Sequence, residues 1–317
     1  MMEAILRKKL QMKKRAYRCE ALQHVYQRAA GRGLLFYSEL DFLMYLTILG
    51  VTAVKYKVRI VSICLMVDHI HLLIESDNFQ NLYGFIQECT SRHALEFNRT
   101  IGRNGNLWQR PYGMALKRGD KAKRTAIAYV NNNGAEKGLS DRTENYRWNL
   151  LRYYGCANPF STPQERNSTA LNKAMTIVRL QYKLNKALSY PLLVKLFSRL
   201  GTEEKKLLSD FIVSTYNVLD YDAAISYYGD HGTMIMALNS NTGSEYDIRE
   251  EFSSLSDNVY PEITAWIQEH YAIRNPRSVI VLPLEKRLEI ADELHRLALA
   301  PDYQIRKYLH LPLKSVR

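Results

Sequence analysis

The 317-residue chain has only four cysteines, Cys19, Cys64, Cys89 and Cys156, and no CxxC pair. That spacing excludes a zinc ribbon and argues against a disulfide framework, so a reducing cytosol is the default compartment. Long apolar runs are also missing. The best stretch, residues 46–54, is broken by Thr and Gly and falls far short of the roughly 18–20 residues that a membrane span needs. The first nine residues, ending Arg7-Lys8-Lys9, lack the apolar core and small-residue cleavage site of a signal peptide. With 46% hydrophobic and 24% charged residues, wholesale disorder is excluded as well. These absences predict a cytoplasmic globular protein with no membrane partner.

Charge is present, and it is one-sided. Residues 1–155 hold 25 Lys and Arg against 13 Asp and Glu, while residues 156–317 hold 19 of each sign. The whole net charge of +12 therefore belongs to the first half, the pattern expected when one module meets a polyanion. Two basic clusters are candidate DNA contacts: Arg7, Lys8, Lys9, Lys13, Lys14 and Arg15, and then Lys117, Arg118, Lys121, Lys123 and Arg124.

The first half reads as alternating strands and helices. Strands are expected near 22–28, 58–67, 69–75 and 107–117, and helices near 38–54, 78–98 and 120–136, with Ser38 as a cap and Gly138 as a stop. The order βαββαβα predicts an α+β fold of the ferredoxin-like, split-βαβ kind, an antiparallel sheet with helices on one face and the other face open. A Pro-containing linker at 155–168 separates this unit, residues 1–155, from a mostly helical, charge-balanced region at 165–317. Near the end, a helical stretch at 289–299 and another at 302–309 resemble the opening of a helix-turn-helix, truncated before a recognition helix.

Two groups of residues can carry chemistry. His69-Ile70-His71-Leu72-Leu73-Ile74-Glu75 alternates as a strand, so both imidazoles share one face and the Ile and Leu side chains the other. Two adjacent imidazoles offer two ligands to a divalent metal, and the same pattern also suits two polar residues on a solvated face. In the last helix, Tyr129 and Asn133 are four apart and share a helix face. The phenol is a candidate nucleophile and the carboxamide a candidate third ligand. Trp108 and Tyr112 are aromatic candidates for stacking on bases.

Leu65-Met66-Val67-Asp68-His69-Ile70-His71-Leu72-Leu73 resembles the HUH signature, two His around a hydrophobic residue, of single-strand DNA transposases. The resemblance is strongest to the REP-associated tyrosine transposases, related to IS200-like transposases. Further stretches follow in the family's order. Gly105-Asn106-Leu107-Trp108-Gln109 is similar to its G-x-LWQ, Tyr129 to Asn133 to its YI-x-x-N, and Ala135 to Leu139 to its A-x-x-GL, while Tyr146-Arg147-Trp148 echoes a later aromatic stretch. The likeness covers about residues 5–155. Two departures stand out: the family reads Asn-Pro where this chain has Asn133-Gly134, and Pro-Asn where it has Val67-Asp68. Strand parity sets Asp68 opposite both histidines, which keeps it out of the expected site.

The resemblance implies a metal-dependent enzyme that cleaves and rejoins single-stranded or hairpin DNA. Tyr129 would form a 5′-phosphotyrosine, and His69, His71 and Asn133 would hold Mg²⁺ or Mn²⁺. It further implies a bacterial, nucleoid-associated protein acting alone or as a homodimer. A domesticated, non-cleaving DNA-binding protein and a replication-initiator or relaxase-type HUH nuclease are the alternatives.

Overall fold

A computed structural model describes residues 17–19, 21–163, 165–240 and 256–312. The basic residues from Arg7 to Arg15 and the final stretch 313–317, which closes the expected truncated helix-turn-helix, lie outside the described residues. Four strands, β1 (Gln23–Arg28), β2 (Arg59–Leu65), β3 (His69–Glu75) and β4 (Gly113–Leu116), alternate with three helices, α1 (Glu39–Tyr56), α2 (Phe79–Ile101) and α3 (Gly119–Glu136). The sheet order is β2-β3-β1-β4, antiparallel throughout. This is the split-βαβ arrangement expected from the sequence. The last strand is much shorter than the expected 107–117, because the stretch before it turns through a bridge between Ala29 and Trp108.

Local chemistry sets the helix ends. At the start of α1, Asp41 accepts from the Ser38 backbone N–H at 2.8 Å and from its hydroxyl at 2.9 Å, closing a capping box. At the start of α2, the Asn78 side chain accepts from the Asn81 N–H, and Gly102 stops the helix at φ 65°. On α2, Leu82, Phe85, Ile86, Cys89, His93 and Phe97 form the buried stripe that meets α1.

The sheet differs from expectation on its histidine face. Register pairs His71 with Cys64 and Tyr26, and Leu73 with His24 and Ser62, so His24, Ser62, Cys64, His69 and His71 share a face. That face is not open. Helix α3 lies across it, with the Asn131 amide donating to the Ser62 hydroxyl at 2.9 Å and the Tyr129 ring against His24 and His71. The opposite face, with Val25, Ile63, Ile70 and Leu72 buried, is left to α1 and α2. Hydropathy alone predicts an open face because α3 reaches the sheet with amides and a phenol rather than with an aliphatic stripe.

The second half contributes α4 (Thr169–Lys183), α5 (Tyr190–Phe197), α6 (Thr202–Tyr216), α7 (Tyr221–Ile225), α8 (His231–Ser240), α9 (Val259–Tyr271), α10 (Leu284–Arg296) and α11 (Asp302–Tyr308). Several of these elements grip the first half. The Asp220 N–H donates to the Ile60 carbonyl at 2.8 Å, extending the β2 edge by one bridge. Helix α6 packs on α1, where Gly50 lets the Tyr216 carbonyl come within 2.5 Å of where a side-chain carbon would sit. Arg277 is fully buried. It bonds the Asp41 carboxylate, donates to the Thr100 hydroxyl at 2.8 Å and stacks 3.6 Å from the Tyr190 ring. No helix of the described residues is long and apolar enough to cross a membrane.

His93 sits in a cage of Phe36, Tyr45, Phe97 and Trp108, with ring centroids 5.0–6.2 Å apart. Both of its nitrogens are buried without a hydrogen-bond partner. Burial, and then the Arg277 charge, push its pKa well below the ordinary value. The same cage holds Trp108, 3% exposed, so it presents no surface to a base, and Tyr112 is likewise buried.

Two stability predictions follow from these buried groups. Arg277→Ala strands the Asp41 carboxylate and is expected to cost about 3–5 kcal/mol, read as a lower urea midpoint. An equal midpoint would mean that the α1 cap alone satisfies Asp41. In acid, the unfolded chain protonates His93 near pH 6.5 while the folded chain does not. Stability should therefore fall by about 1.4 kcal/mol per pH unit below that point on account of this residue. Thermal melts of His93→Phe between pH 7 and pH 5 should show a shallower loss than the parent chain.

Candidate active site

His69 and His71 stand side by side on β3, ring centroids 4.9 Å apart and planes at 82°. Both are buried, at 6% and 0% exposure. Each ring is held through its Nδ1. His71 Nδ1 meets His24 Nε2 at 3.0 Å, and His69 Nδ1 meets Asp68 Oδ1 at 2.5 Å. Burial lowers the pKa of His24 to about 3, with the Lys117 charge adding to it. Burial also holds His71 well below the ordinary value, helped by His69 and His24. Two neutral imidazoles share one proton at that 3.0 Å contact. With His71 Nδ1 as the donor, its Nε2 keeps a lone pair for a ligand.

Helix α3 brings the third and fourth groups. The Tyr129 ring lies edge-on to His71 at 5.3 Å and to His24 at 5.7 Å. One turn further on, the Asn133 Nδ2 donates to the Tyr129 carbonyl at 2.7 Å, leaving its Oδ1 buried with no hydrogen-bond partner. His69 Nε2 is in the same condition. These two unsatisfied buried acceptors suit a cation better than they suit an empty interior. Among the described residues no three His, Cys, Asp or Glu side chains form a metal cluster. The candidate donors expected from the sequence are the His69 and His71 imidazoles and the Asn133 amide oxygen.

The departure from the family's Asn-Pro has a local cause. A side-chain carbon at Gly134 would lie 2.4 Å from the Tyr146 ring, whose hydroxyl donates to the Leu65 carbonyl at 2.6 Å. Glycine lets that ring lie flat on the helix beside Asn133. Asn132 helps pin the same turn, accepting from the Thr143 hydroxyl at 2.6 Å and donating to the Leu238 carbonyl.

The structure thus brings His69, His71 and Tyr129 together with Asn133 on the next turn, but without the open surface expected around them. The Tyr129 side chain is 0% exposed. Parity also misplaced Asp68. It precedes the strand, in the turn between β2 and β3, where alternation does not apply, and its carboxylate reaches His69. Burial pushes the Asp68 carboxyl up, but His69 and the Lys307 ammonium outweigh this and hold it well below the carboxylate range. His24 and Lys307 were missed as well. His24 carried a signal, an imidazole inside the first expected strand; Lys307 carried none.

The basic groups divide. Arg118, Lys121 and Arg124 are exposed around the start of α3, Lys117 is half-buried, and Lys123 lies 5.1 Å over the Tyr227 ring. The burial of Trp108 and Tyr112 removes both from the expected base-stacking surface.

The family model described as Transposase IS200 like matches residues 21–133, a span that runs from the start of the sheet to Asn133. Residues 21–133 are thus similar to IS200-like transposases. The matched span therefore contains the two histidines, Tyr129 and Asn133, and ends on the last of them. Among solved structures, that of a REP-associated tyrosine transposase bound to a REP hairpin is similar at 13% identity and a TM-score of 0.36, over 49% of this chain and 93% of the other. No curated protein matches the chain.

Proposed function

We propose that this transposase domain cleaves and rejoins single-stranded DNA through Tyr129, as a member of the REP-associated branch acting on hairpin or palindromic DNA. The observation that carries the reading is the Tyr129 ring set 5.3 Å from His71, on a helix that carries Asn133 one turn later, with all three residues inside the matched segment. Tyr129 Oη attacks the scissile phosphorus, forming a 5′-phosphotyrosine and releasing a free 3′-OH. The new diester keeps the energy of the old, so attack by a 3′-OH rejoins the strand without ATP. A tyrosine hydroxyl with its ordinary pKa near 10 is a weak nucleophile at pH 7, so the site has to activate it.

His69, His71 and Asn133 would hold a divalent cation, Mg²⁺ or Mn²⁺, which when bound polarises a non-bridging phosphoryl oxygen and offsets developing charge. Asp68 and His24 fix the two imidazoles, and such outer partners raise ligand basicity and hold orientation. Arg118, Lys121 and Arg124 bind backbone phosphates close to the helix that carries the nucleophile. With the phenol sealed, the scissile phosphate reaches it only after the elements around α3 separate. A cytoplasmic, nucleoid-associated location fits this substrate.

The same sealed phenol favours a second reading, a DNA-binding protein that keeps the fold and no longer cuts. A hairpin oligonucleotide incubated with Mn²⁺ and run on a denaturing gel separates the two. The parent chain should give a covalent adduct, and Tyr129→Phe should lose it while binding single strands within severalfold of the parent. An adduct formed by Tyr129→Phe removes Tyr129 as nucleophile, and its absence from the parent favours the binder. His69→Ala and His71→Ala should each lower cleavage far more than binding, and EDTA should reproduce both effects. Full-rate cleavage in chelator would rule out the metal.

A further inference from the structure

Lys307 stands 239 residues from Asp68 in sequence, yet its Nζ donates to Asp68 Oδ2 at 2.7 Å. The other oxygen of that carboxylate accepts from His69 Nδ1 at 2.5 Å. Asp68 is therefore a bridge with one end on a candidate ligand and the other on the seven-residue helix α11. A carboxylate held at both oxygens cannot turn away from either partner without breaking a charge-assisted bond. An imidazole that donates through Nδ1 to this carboxylate presents the lone pair of a neutral ring on Nε2, the nitrogen left buried and unsatisfied.

The lysine itself is firmly placed. It is 8% exposed, and its ammonium lies 5.9 Å from the Tyr260 ring and 5.8 Å from the Tyr303 ring. Burial favours the neutral amine, but the Asp68 and Asp257 carboxylates outweigh it and keep the group charged. The backbone around it is tied on several sides. The Tyr37 hydroxyl donates to the Tyr308 carbonyl at 3.2 Å, and Arg287 donates to the carbonyls of Leu309 and His310 at 3.1 and 2.8 Å. A flexible surface lysine would lose most of its attraction to side-chain entropy and screening. A buried, anchored one does not.

We propose that Lys307 is a positioning residue of the nuclease site: through Asp68 it fixes the His69 ring, so that helix α11 completes the cation-binding centre of the transposase domain. This rests on the reading of His69 and His71 as metal ligands. It gives the C-terminal helices a part in the reaction that neither the matched segment nor the sequence pattern supplies.

The test measures Mn²⁺ binding to the full chain by titration calorimetry, alongside melting in EDTA. In the parent chain Mn²⁺ should bind, and His69→Ala should abolish it. Lys307→Met and Lys307→Gln should each weaken Mn²⁺ about tenfold, the lower end of the range for outer-sphere partners. Asp68→Asn should weaken it at least as much, and Asp68→Asn with Lys307→Met should bind no worse than Asp68→Asn alone, as for residues acting in series. Lys307→Arg should recover binding to within about threefold of the parent, since a guanidinium also engages a carboxylate. A merely structural tie would lower the melting temperature of Lys307→Met and Lys307→Gln and leave their Mn²⁺ affinity at the parent's value. That result, or additive losses in the double variant, overturns the proposal while the metal reading stands. If the parent binds no Mn²⁺, or binds it unchanged in His69→Ala, the metal reading itself fails and takes the role of Lys307 with it.

Discussion

A buried imidazole needs a partner that fixes its ring, and that requirement organises the molecule around its candidate site. His71 meets it through His24, one strand over, at 3.0 Å. His69 meets it through Asp68, which brings a negative charge into a partly buried turn and so needs a cation of its own. The cation is Lys307, and a buried lysine needs a fixed backbone behind it. Arg287 and Tyr37 supply that fixture by bonding the carbonyls at the end of α11. Each buried polar group thus recruits the next, until the second half of the chain is drawn onto the first. The Arg277–Asp41 pair does the same at the start of α1.

The sequence carried much of the scaffold because its signals there are local. Alternation placed His69 and His71 on one face, and a four-residue spacing placed Tyr129 and Asn133 on one helix face; the structure keeps both relations. The order of strands and helices follows from caps and stops that the residues announce themselves, Ser38, Asn78 and Gly102 among them. The covering of the histidine face could not be read in this way. Helix α3 is mostly polar between Tyr129 and Glu136, and a polar helix reads as solvated. Its amides are buried because each finds a specific partner: Ser62 for Asn131, Thr143 for Asn132, the Tyr129 carbonyl for Asn133. Hydropathy carries no signal for a partner met only in three dimensions. The same limit misplaced Trp108, whose neighbours Tyr45 and His93 come from two different helices.

Asp68 shows a second kind of failure, an alternation rule carried one residue too far. Parity holds along a strand because the pleat fixes successive side chains on opposite faces. Asp68 belongs to the turn, where the backbone rotates freely enough to lay its carboxylate beside the first histidine. The partner that completes it lay beyond any local reading at all, since nothing in the stretch around Lys307 distinguishes that lysine from its neighbour Arg306.

Helix α3 runs as one rigid element from exposed basic groups to the buried Tyr129. Its first turns carry Lys121 and Arg124 near the surface, and Tyr129 follows eight residues after Lys121, about 12 Å along a helix rising 1.5 Å per residue. The C-terminal part is pinned from three directions, by Ser62 on β2, by Thr143 in the segment that follows, and by the Tyr146 ring pressed on Gly134. The exposed first turns have fewer such ties, among them the Tyr228 hydroxyl on the Arg124 carbonyl at 3.0 Å. A helix held so unevenly cannot withdraw Tyr129 from the histidines without breaking the buried amide contacts at its far end. Any opening of the site that keeps the phenol beside the imidazoles would therefore have to leave those contacts in place.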